Sequence, residues 1–531
     1  MALTKLPPNG RVGVIGAGIS GLSYAYFLNK LRPDVKITVF EKSNQPGGWI
    51  RTKKLTNEQQ NIVLEKGPRT LRGISDGTLL IIDILKHLRK ENELQVMKST
   101  SIANRKYIAG QDHQLVQVPS SVNSFFKFLS SGVVSGIPTG AIKELFQKAS
   151  STGTDESIEG FISRRFKSTA LTDNIMSAVL HGVYAGDVSK LSVKSVVPGL
   201  VTLEKNHGSI VKGALANMYK ALTSKKHDKD LEPSLKVYEQ RISPQADLRG
   251  LAARLKGYPI VRLRTGLQEL PLALSSYLQS QANVDILYDT TIDSVDFKQR
   301  TIKTSKESSN FDHIRSTINV KTLASLAQDP ALTDELAKIE YVSIFMANIY
   351  SRERLVPGGQ EGFGFLVPKA VPNPERLLGV IFDSDIEKYS HDLEGEPEES
   401  GGYSNMTLMM GGHFFQDEIP SNSVNLRAVK KCLQQYLGVD ISQRRVVLRD
   451  EANEKNAKVT LEGDDVLISY NLHKDCIPQY NVGYQAIKEK TESLLASEYN
   501  GTLSLGGMCF GKGVGVPDCV SNALDGAIDV S

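Results

Sequence analysis

The six residues GAGISG, at positions 16–21, decide how this chain folds. Apolar, β-favouring residues precede them at 12–15 and predict a short buried strand. Apolar positions spaced for a helix follow at 22–27, and a second strand is predicted at 36–40, just before Glu41. Strand, glycine turn, helix, strand and acid in this order form the dinucleotide-binding fingerprint. We therefore predict an α/β fold with a Rossmann-type nucleotide-binding domain.

Each part of this fingerprint has a physical role. Gly16 allows the tight turn, Gly18 lets the backbone approach a pyrophosphate, and Gly21 lets the helix pack closely on the strand. The helix N-terminus offers unpaired N–H groups and the positive end of the helix dipole to the phosphates. Glu41 follows the third glycine by twenty positions, where its carboxylate can hold ribose hydroxyls. Because strand, helix and acid all fall in register, a turn without a ligand is the weaker interpretation.

The segment GGWIR, at 47–51, indicates which dinucleotide binds. A glycine pair ahead of an arginine, this soon after the ribose acid, is not part of the NAD fingerprint. It resembles the extension found in the FAD-binding amine oxidase and phytoene desaturase superfamily, where this segment runs along the flavin diphosphate. The predicted cofactor is therefore FAD.

Composition bounds the class of protein. The chain has 531 residues, of which 40% are hydrophobic and 23% charged, as in ordinary globular proteins of more than one domain. The net charge of +4 is too small to indicate nucleic-acid binding. Four cysteines lie far apart without a CxxC pair, so neither a disulfide framework nor a metal site is expected. No apolar stretch reaches the roughly 18 residues of a membrane-spanning helix.

The N-terminus is basic. The first 33 residues contain Lys5, Arg11, Lys30 and Arg32 and no acid. Because the first strand begins near residue 11, we expect no cleavable presequence ahead of it. An uncleaved import signal and a short basic lead-in explain this pattern equally well.

Residues 109–205 predict a helical part with an apolar surface. Lysines are interspersed among its large apolar residues, which include Phe125, Phe126, Phe128, Leu129, Ile142 and Phe146. Such a face indicates a surface that lies on a membrane. An ordinary helical subdomain that packs on its neighbours is the alternative.

Four further motifs place glycines beside apolar residues or a helix start. They are LEKGPRTLRG (64–73), HGVYAGDVSKLS (181–192), EGFGFLVP (361–368) and GVGVPDCV (513–520). Glycines let the main chain approach a flat ligand, and apolar neighbours form a slot for a large one. A segment as far from residue 16 as GVGVPDCV, returning to the same site, implies an FAD-binding domain assembled from separated pieces.

Together these motifs resemble those of the protoporphyrinogen oxidases, which catalyse the penultimate step of haem synthesis. The match keeps the same order over nearly the whole chain, adds HKDCIPQY at 473–480, and is greatest for the fungal members. The resemblance implies an FAD-binding domain from 1–100, 259–322 and 469–531. It also implies an α+β substrate-binding domain from 206–258 and 323–468 and a helical membrane-binding domain from 101–205.

The resemblance also assigns residues to the cofactor and the substrate. FAD would be held by Gly16, Ala17, Gly18, Ile19, Ser20, Gly21, Glu41, Lys42, Gly48, Trp49, Gly67, Pro68, Arg69, Thr70, Ile292, Met508, Val514, Gly515 and Val516. The substrate would be held by Arg105, Gly182, Phe363, Leu366 and Met409, with Arg105 pairing with a propionate. Arg315 and Asn319 depart from the family pattern, which usually reads apolar and proline, and affect only the detail of one strand.

The activity implied is the removal of six electrons from protoporphyrinogen IX, with dioxygen as acceptor and hydrogen peroxide as product. The flavin would supply the chemistry, so no catalytic side chain is assigned, and His181 is interpreted as structural. The implied location is the mitochondrial inner membrane, as a peripheral protein without a transmembrane helix. A homodimer and docking to the terminal enzyme of haem synthesis stay open.

Two other functions share the fingerprint. Amine and polyamine oxidases need an aromatic cage for a cation beside the flavin, whereas these motifs offer aliphatic and methionine residues with an arginine. Redox-inactive binding proteins of the prenylated-GTPase escort type have the same fold but retain no flavin. Flavin absorption of the purified protein would exclude the second function, and assays with amines would test the first.

Overall fold

The computed structural model describes residues 3–57, 60–119, 124, 128–149, 153–223, 231–327, 329–393, 402–454 and 456–531. Strands of this part, numbered in chain order, are β1 (Arg11–Ile15), β2 (Lys36–Phe40), β3 (Thr52–Asn57), β4 (Gln60–Glu65), β5 (Leu71–Arg72), β6 (Leu94–Met97), β7 (Lys106–Ala109), β8 (Leu115–Gln117), β9 (Ile260–Leu263), β10 (Val284–Leu287), β11 (Ile292–Asp296), β12 (Thr301–Thr304), β13 (Ser308–Asn310), β14 (His313–Ser316), β15 (Tyr341–Ser351), β16 (Gly364–Leu366), β17 (Leu377–Ile381), β18 (His391–Asp392), β19 (Ser404–Gly412), β20 (Val446–Asp450), β21 (Val466–Pro478) and β22 (Leu503–Leu505).

The α-helices of the same residues are α1 (Ile19–Leu31), α2 (Asp76–His87), α3 (Ile137–Glu144), α4 (Ile158–Phe166), α5 (Ser177–Val183), α6 (Val193–Val196), α7 (Pro198–His207), α8 (Ile210–Thr223), α9 (Pro233–Val237), α10 (Leu248–Leu255), α11 (Glu269–Gln279), α12 (Val320–Leu326), α13 (Pro330–Leu336), α14 (Asp383–Lys388), α15 (Asn422–Leu437), α16 (Tyr484–Glu498) and α17 (Val516–Val530). The described residues also include two π-helical turns. Thr172–Met176 continues directly into α5, and Tyr238–Ile242 directly follows α9.

A five-stranded parallel sheet is assembled from strands far apart in the sequence, in the order β10-β2-β1-β14-β22. β1 lies between β2 and β14, and β14 pairs with the C-terminal β22. Helices α1 and α17 pack together over this sheet and share one apolar core with it. Val12 and Val14 are fully buried in that core, as parallel strands covered on both faces require. The predicted Rossmann-type domain built from separated segments is confirmed.

The second large element is an eight-stranded mixed sheet, in the order β20-β21-β15-β19-β17-β16-β7-β8. Its central strand β15 is buried along its whole length between β21 and β19. Strand β7 and the edge strand β8 come from residues 106–117, which the sequence placed in the helical domain. Strand β16, which pairs with β7, is more than two hundred residues away in sequence, so local pattern could not reveal this pairing.

Within the helical part α3 to α8, a buried ion pair and its hydrogen bonds join α3, α4 and α8. Arg165 of α4 has no exposed surface, and its Nε donates to Glu144 of α3 at 2.9 Å. The same carboxylate accepts the Ser209 hydroxyl at 2.5 Å and the Ile210 N–H at 2.8 Å, so it caps the N-terminus of α8. Three helices are therefore fixed by one carboxylate.

The segment 206–258, expected in the substrate-binding domain, divides between two other parts. Helix α8 packs against α7 and α3, whereas Leu235, Tyr238 and Leu251 join the apolar core of the five-stranded sheet. The expected domain boundaries therefore do not follow the sheets and cores closely at this segment, and the domain division stays a proposal.

Arg315, which departs from the family pattern, lies on the inner strand β14 and is almost fully buried. Its Nη2 donates to Asn522 at 2.8 Å, and its guanidinium lies over the Tyr24 ring at 5.2 Å. A Cβ on Gly526 would stand 2.8 Å from its Nη1, so that glycine makes room for the side chain. β14 keeps its place in the sheet despite the buried cation.

Candidate active site

A cavity of about 530 Å³ opens where the parallel strands β1, β2, β14 and β22 end at their carboxyl termini. Ligands of open α/β sheets bind at this edge. Stretches distant in sequence line the cavity: Gly16, Gly18, Ile19, Ser20, Glu41, Lys42, Gly48, Trp49, Pro68, Ile292, Met508, Val514 and Val516 among the predicted cofactor residues. The structure therefore brings most of the predicted cofactor residues around one space.

The glycine turn has the conformation that its sequence predicts. Gly16 has φ +101°, which favours glycine, and a Cβ on Gly21 would overlap the Gly16 carbonyl, so helix and strand approach closely. A Cβ on Gly18 would meet only the Gly48 Cα, at 4.0 Å. Gly47 donates its N–H to the Ala17 carbonyl at 2.9 Å. Two glycine segments thus face each other and leave bare main chain on the cavity wall.

Helix α1 begins at this wall with its first N–H groups available. Its N-cap is Gly18, no side chain caps it, and its first turn contains no acid. An uncapped helix N-terminus attracts anions through its N–H groups and its dipole. These features fit the diphosphate of FAD.

Glu41 is oriented by the main chain around it. One carboxylate oxygen accepts the Ala17 N–H at 2.8 Å, and the other accepts the Ser43 N–H at 2.8 Å and the Ser43 hydroxyl at 2.6 Å. A carboxylate has about four acceptor positions, so one stays available to a ribose hydroxyl. Glu41 also fastens the glycine turn, a role that its position in the motif does not reveal.

Six predicted cofactor residues are not among those that line the cavity: Ala17, Gly21, Gly67, Arg69, Thr70 and Gly515. Gly67 packs on the Trp49 carbonyl, where a Cβ would overlap it. The Arg69 guanidinium donates to the buried Asp383 carboxylate at 2.7 Å. Arg69 thus joins the loop before β5 to α14 rather than facing the cavity.

Several cavity residues were missed by the sequence. Thr317, Ile318 and Asn319 follow the end of β14, so the rule that ligands bind at the carboxyl ends of parallel strands could have found them. Tyr341 and Cys509 also line the cavity and carry no local signal. The Asn319 amide donates to the Asp475 carbonyl at 2.8 Å, a contact that a proline would lack.

Two predicted substrate residues, Leu366 and Met409, belong to one row of residues across the eight-stranded sheet. We call this row the slot floor, and it consists of Ile108, Leu366, Gly379, Met409 and Met346. The five residues lie on the neighbouring strands β7, β16, β17, β19 and β15, and each is directly opposite the next in the strand register. All five side-chain positions are therefore on one face of the sheet. A Cβ on Gly379 would stand 2.7 Å from a Leu366 methyl, so this glycine lets Leu366 lie flat. Leu366 and Met409 are partly exposed, whereas Phe365 and Met410 on the other face are buried.

Arg105 and Phe363 are joined at one end of this floor. The Phe363 N–H donates to the Arg105 carbonyl at 2.7 Å, one residue before β7 begins. The Arg105 guanidinium lies beside the Tyr107 hydroxyl. Within the described part of the chain no ion pair joins Arg105 to a carboxylate, so its charge is available to an anionic group.

The opposite side is formed by helix α5. A Cβ on Gly182 would stand 3.1 Å from a Leu366 methyl, so this position faces the slot floor. Val179 and Val183, one helical turn apart on the same helix, are 50% and 46% exposed. We call these three residues the α5 wall.

His181 lies behind the α5 wall and has no free ring nitrogen. Its Nδ1–H donates to the Val367 carbonyl at 2.8 Å, so its Nε2 must accept from His413 Nε2–H, 3.0 Å away. Burial lowers the pKa of His181, and it lowers the pKa of His413 to about 4. A neutral, doubly bonded His181 agrees with the structural interpretation.

Trp49 connects the cofactor cavity with the slot floor. It lines the cavity, and its ring meets the His473 ring edge-on at 5.2 Å. His473 Nε2–H donates to the Lys66 carbonyl at 2.6 Å. Asn471, which pairs with Met346 in the register of β21 and β15, contacts the same ring nitrogen at 2.6 Å. The slot floor therefore ends beside the cavity.

Comparison with known proteins agrees with this geometry. The family described as flavin containing amine oxidoreductase matches residues 19–523. The protoporphyrinogen oxidase of Saccharomyces cerevisiae is 36% identical over 555 residues, which cover 100% of this chain and 99% of that protein. The chain belongs to the protoporphyrinogen oxidases, within the flavin-containing amine oxidoreductases.

More distant proteins extend this match. The human protoporphyrinogen oxidase is 26% identical, over 98% of both chains. A crystal structure of reduced UDP-galactopyranose mutase superposes with a TM-score of 0.64 at 13% identity, over 98% of this chain and 94% of that one, and so shares the fold. Membership of a flavin-containing family and a cavity suited to a dinucleotide together identify the cofactor as FAD.

Proposed function

We propose that this chain oxidises protoporphyrinogen IX to protoporphyrin IX in haem synthesis, with dioxygen as the final acceptor and hydrogen peroxide as the product. The observation that carries the proposal is the continuity of the FAD cavity with an apolar slot that has an arginine at its far end. The full-length similarity to curated protoporphyrinogen oxidases supports the same substrate.

FAD, when bound, supplies the electron acceptor for hydrogen removal and the group that dioxygen reoxidises. The chain positions its cofactor through main-chain N–H groups at the start of α1 and through Glu41. It positions the substrate on the slot floor, beside the α5 wall. Arg105 orients it by a charge-assisted pair with a propionate.

The proposal assigns no side chain as a catalytic base. His181, the nearest candidate in the sequence, has both ring nitrogens engaged. We therefore propose that the protein contributes the positioning of the macrocycle, and that the ring nitrogens lose their protons to water.

The test uses the purified full chain. We expect flavin absorption in the isolated protein, and a rise of porphyrin fluorescence with hydrogen peroxide formation when protoporphyrinogen IX is added. The slot floor carries aliphatic and methionine side chains rather than an aromatic cage, so putrescine and benzylamine should give no peroxide. Colourless protein, or peroxide from amines alone, would overturn the proposal in favour of the escort or amine oxidase function.

We also propose that the protein lies on a membrane surface through helices α3 and α8. Large apolar side chains are exposed on α3, just after its end and on α8: Ile142 (61%), Phe146 (81%), Leu215 (54%), Met218 (57%), Tyr219 (70%) and Leu222 (79%). Lys143, Lys212 and Lys220 belong to the same helices, as in helices that bind an interface. Monomeric proteins rarely expose so much apolar surface without a partner.

This apolar surface differs in position from the expected one. Four of its six residues are on α8, beyond the expected range 101–205, while Phe125 and Phe126 lie outside the described residues. The Glu144 contacts that cap α8 bring it beside α3. None of the described helices has the length and apolar character needed to cross a bilayer.

Binding to vesicles of phosphatidylcholine with anionic cardiolipin tests the membrane proposal. The double variant Phe146→Ser and Leu222→Ser should sediment with vesicles at least about tenfold less than the parent, because each side chain contributes roughly 1.5–3 kcal/mol of burial. Val424→Ser on α15, also partly exposed, should bind like the parent. Equal vesicle binding of parent and double variant would overturn it.

We propose the mitochondrial inner membrane as the site of this surface. The basic, acid-free N-terminus and the resemblance to fungal protoporphyrinogen oxidases support it. A fusion of residues 1–33 to a fluorescent protein, and the full chain with Lys5 and Arg11 replaced by Glu, would show whether these residues direct import. Cytosolic full-length parent would contradict the location.

A further inference from the structure

We propose that Asn348 and Thr407 are positioning residues, which align the cofactor cavity with the slot floor by fastening the loop of residues 65–69 to the eight-stranded sheet. We call this loop the joint loop. The inference rests on the proposed function and extends it from the parts of the site to the way in which they are aligned. Neither residue belongs to the slot floor or lines the cofactor cavity, so each acts on the reaction through other groups.

The joint loop forms part of the cofactor side of the site. Its Pro68 lines the cavity, as does Trp49 of the glycine segment that faces the dinucleotide turn. A Cβ on Gly67 would overlap the Trp49 carbonyl, so the loop packs directly on that segment. A displacement of the joint loop would therefore move two pieces of the wall that would hold FAD.

Asn348 and Thr407 lie next to the slot floor, on two of its own strands. They are directly opposite each other in the register of β15 and β19, as Met346 and Met409 of the floor are. Each is two residues, or about 7 Å along its strand, from the floor residue, so all four side chains are on one face of the sheet. Asn348 is 1% exposed and Thr407 has no exposed surface. The two side chains therefore move with the floor.

A chain of hydrogen bonds runs from these two residues to both ends of the joint loop. The Asn348 amide donates to the Glu65 carbonyl at 3.0 Å and to the Thr407 hydroxyl oxygen at 2.8 Å. The Thr407 hydroxyl donates to one oxygen of Asp383 at 2.7 Å, and the other oxygen accepts from the Arg69 guanidinium at 2.7 Å. Since Glu65 and Arg69 are the first and last residues of the loop, the chain fastens both of its ends to the sheet.

The Thr407 hydroxyl is the central link of this chain, because it accepts from Asn348 and donates to Asp383. Arg69 and Asp383 are each only 7% exposed, so the whole chain is buried. A buried polar group that loses its partner is costly, since water does not replace the lost bond. Without the hydroxyl, an amide hydrogen and a carboxylate oxygen lose this partner, and a new one requires the joint loop or Asp383 to move.

Alignment of this kind acts on kcat rather than on binding. A reaction between two bound molecules depends on their separation, and a misplacement of about 1 Å can lower its rate about a hundredfold. The groups that would bind FAD, namely the start of α1 and Glu41, are not part of the chain, and Arg105 lies at one end of the slot floor. The loss of the chain should therefore change kcat more than KM or FAD affinity.

The experiment compares Thr407→Val with Thr407→Ser in the full-length, FAD-loaded enzyme. Valine keeps the branched shape and removes both hydrogen bonds, so kcat for protoporphyrinogen IX should fall about tenfold to a hundredfold, while KM and the dissociation constant of FAD change less than about threefold. Serine keeps the hydroxyl, so kcat should return to within about threefold of the parent. An unchanged kcat in Thr407→Val, or a serine variant as slow as the valine variant, would overturn the inference.

A spectroscopic measurement and a matched control separate alignment from loss of stability. The visible circular dichroism of bound flavin reports its surroundings without turnover, and it should change in Thr407→Val and not in Thr407→Ser. The control is Ser404→Ala on the same strand, because Ser404 is 1% exposed and its hydroxyl oxygen accepts the Leu355 N–H at 2.6 Å. It should lower the urea midpoint of unfolding but keep the kcat and flavin spectrum of the parent. A control as slow as Thr407→Val would overturn the inference.

Asn348→Leu is a second variant of the same chain. Because Asn348 and Thr407 act in series, the double variant Asn348→Leu with Thr407→Val should be about as slow as the slower single variant. Losses of kcat that multiply would show two independent positions and overturn the chain. If Thr407→Val does not fold, Asn348→Leu and Ser404→Ala make the same comparison of kcat and flavin spectrum.

These results separate the inference from the function on which it rests. If the parent binds FAD but does not oxidise protoporphyrinogen IX, the proposed function fails, and the flavin spectra of the variants still decide whether the chain holds the joint loop. If the parent oxidises protoporphyrinogen IX and Thr407→Val keeps its kcat, only the inference fails.

Discussion

The cofactor cavity and the substrate slot of this protein are built from different materials. The cavity is made largely of main chain: a glycine turn, the uncapped start of α1 and the glycines after β22. The slot is made of side chains that reach it from five strands of one sheet and from α5. The cavity offers main-chain N–H groups, which only a substitution by proline removes, whereas the slot offers side chains, which any substitution changes.

This difference predicts opposite sensitivities. A site made of main chain is broken by adding atoms, because its ligand needs the space that glycine leaves. A site made of side chains is altered by changing their chemistry, and it then discriminates differently rather than failing. The following substitutions test that contrast, from the largest expected effect to the smallest.

Gly18→Val should have the largest effect. A Cβ at this position meets only the Gly48 Cα, at 4.0 Å, so the chain should fold, but the side chain would enter the cavity. We expect FAD affinity to fall at least about a hundredfold, because hydrogen bonds to a charged group contribute roughly 1.5–3 kcal/mol each. Equilibrium dialysis with FAD measures this loss. Gly257→Val, with nothing within 4 Å, is the control and should bind FAD normally.

Arg165→Met should destabilise the helical part beside the slot. It leaves the buried Glu144 carboxylate without its cation, which costs about 3–5 kcal/mol in comparable cases. Urea unfolding measures the free energy, and vesicle binding should weaken with it because α3 and α8 separate. Arg164→Met is the control, since that side chain is 30% exposed and should cost about 1 kcal/mol. Equal losses in the two variants would contradict a special role for the buried pair.

Arg105→Ala should affect the substrate and not the cofactor. The loss of one charge-assisted pair should raise KM for protoporphyrinogen IX roughly tenfold to a hundredfold while kcat changes little and FAD stays bound. Steady-state kinetics and flavin absorption measure the two effects on one preparation. Lys106→Ala, at the neighbouring exposed position of β7, should resemble the parent. Unchanged kinetics in Arg105→Ala would remove this arginine from substrate binding.

The His181–His413 pair should have the smallest effect on activity. Burial lowers the pKa of both rings, that of His413 to about 4, against about 6.5 in an unfolded chain. The unfolded chain therefore binds more protons between these values, so stability is complete above pH 6.5 and is lost as pH falls toward 4. Thermal unfolding at pH 5 and 7.5 measures this loss.

The same pair of histidines should not affect catalysis near neutral pH. We expect kcat/KM to show no inflection from these histidines between pH 6.5 and 8. His413→Gln should keep kcat within about twofold and reduce the pH dependence of stability. An inflection near pH 6.5 that disappears in His413→Gln would show that the pair takes part in catalysis.

The sequence was most informative where function rests on a local turn. Gly16, Gly18, Glu41, Trp49 and their neighbours lie on the cavity wall as expected. It was least informative about direction: Arg69 stands in a matching motif, yet its side chain turns away to Asp383. Which way a side chain points is set by partners that are distant in sequence, so motif position alone could not show it.

The slot illustrates the same limit. The resemblance named Leu366 and Met409, but Gly379, which lies between them and keeps the floor flat, was not singled out. The exposure of Val179 and Val183 was equally hard to predict, since a valine on a short helix usually packs into a core. Their exposure became visible only in the folded chain.

The amino-acid sequence by itself determined the dinucleotide fold, the flavin and the family, because glycine turns, helix starts and acids act through neighbours a few residues away. Only the tertiary structure decided which strands stand side by side in the slot, which arginine lies at the end of the slot floor and which is buried in an ion pair. The physical reason is that strand register and helix packing are set by contacts between residues hundreds of positions apart. A local pattern records none of them.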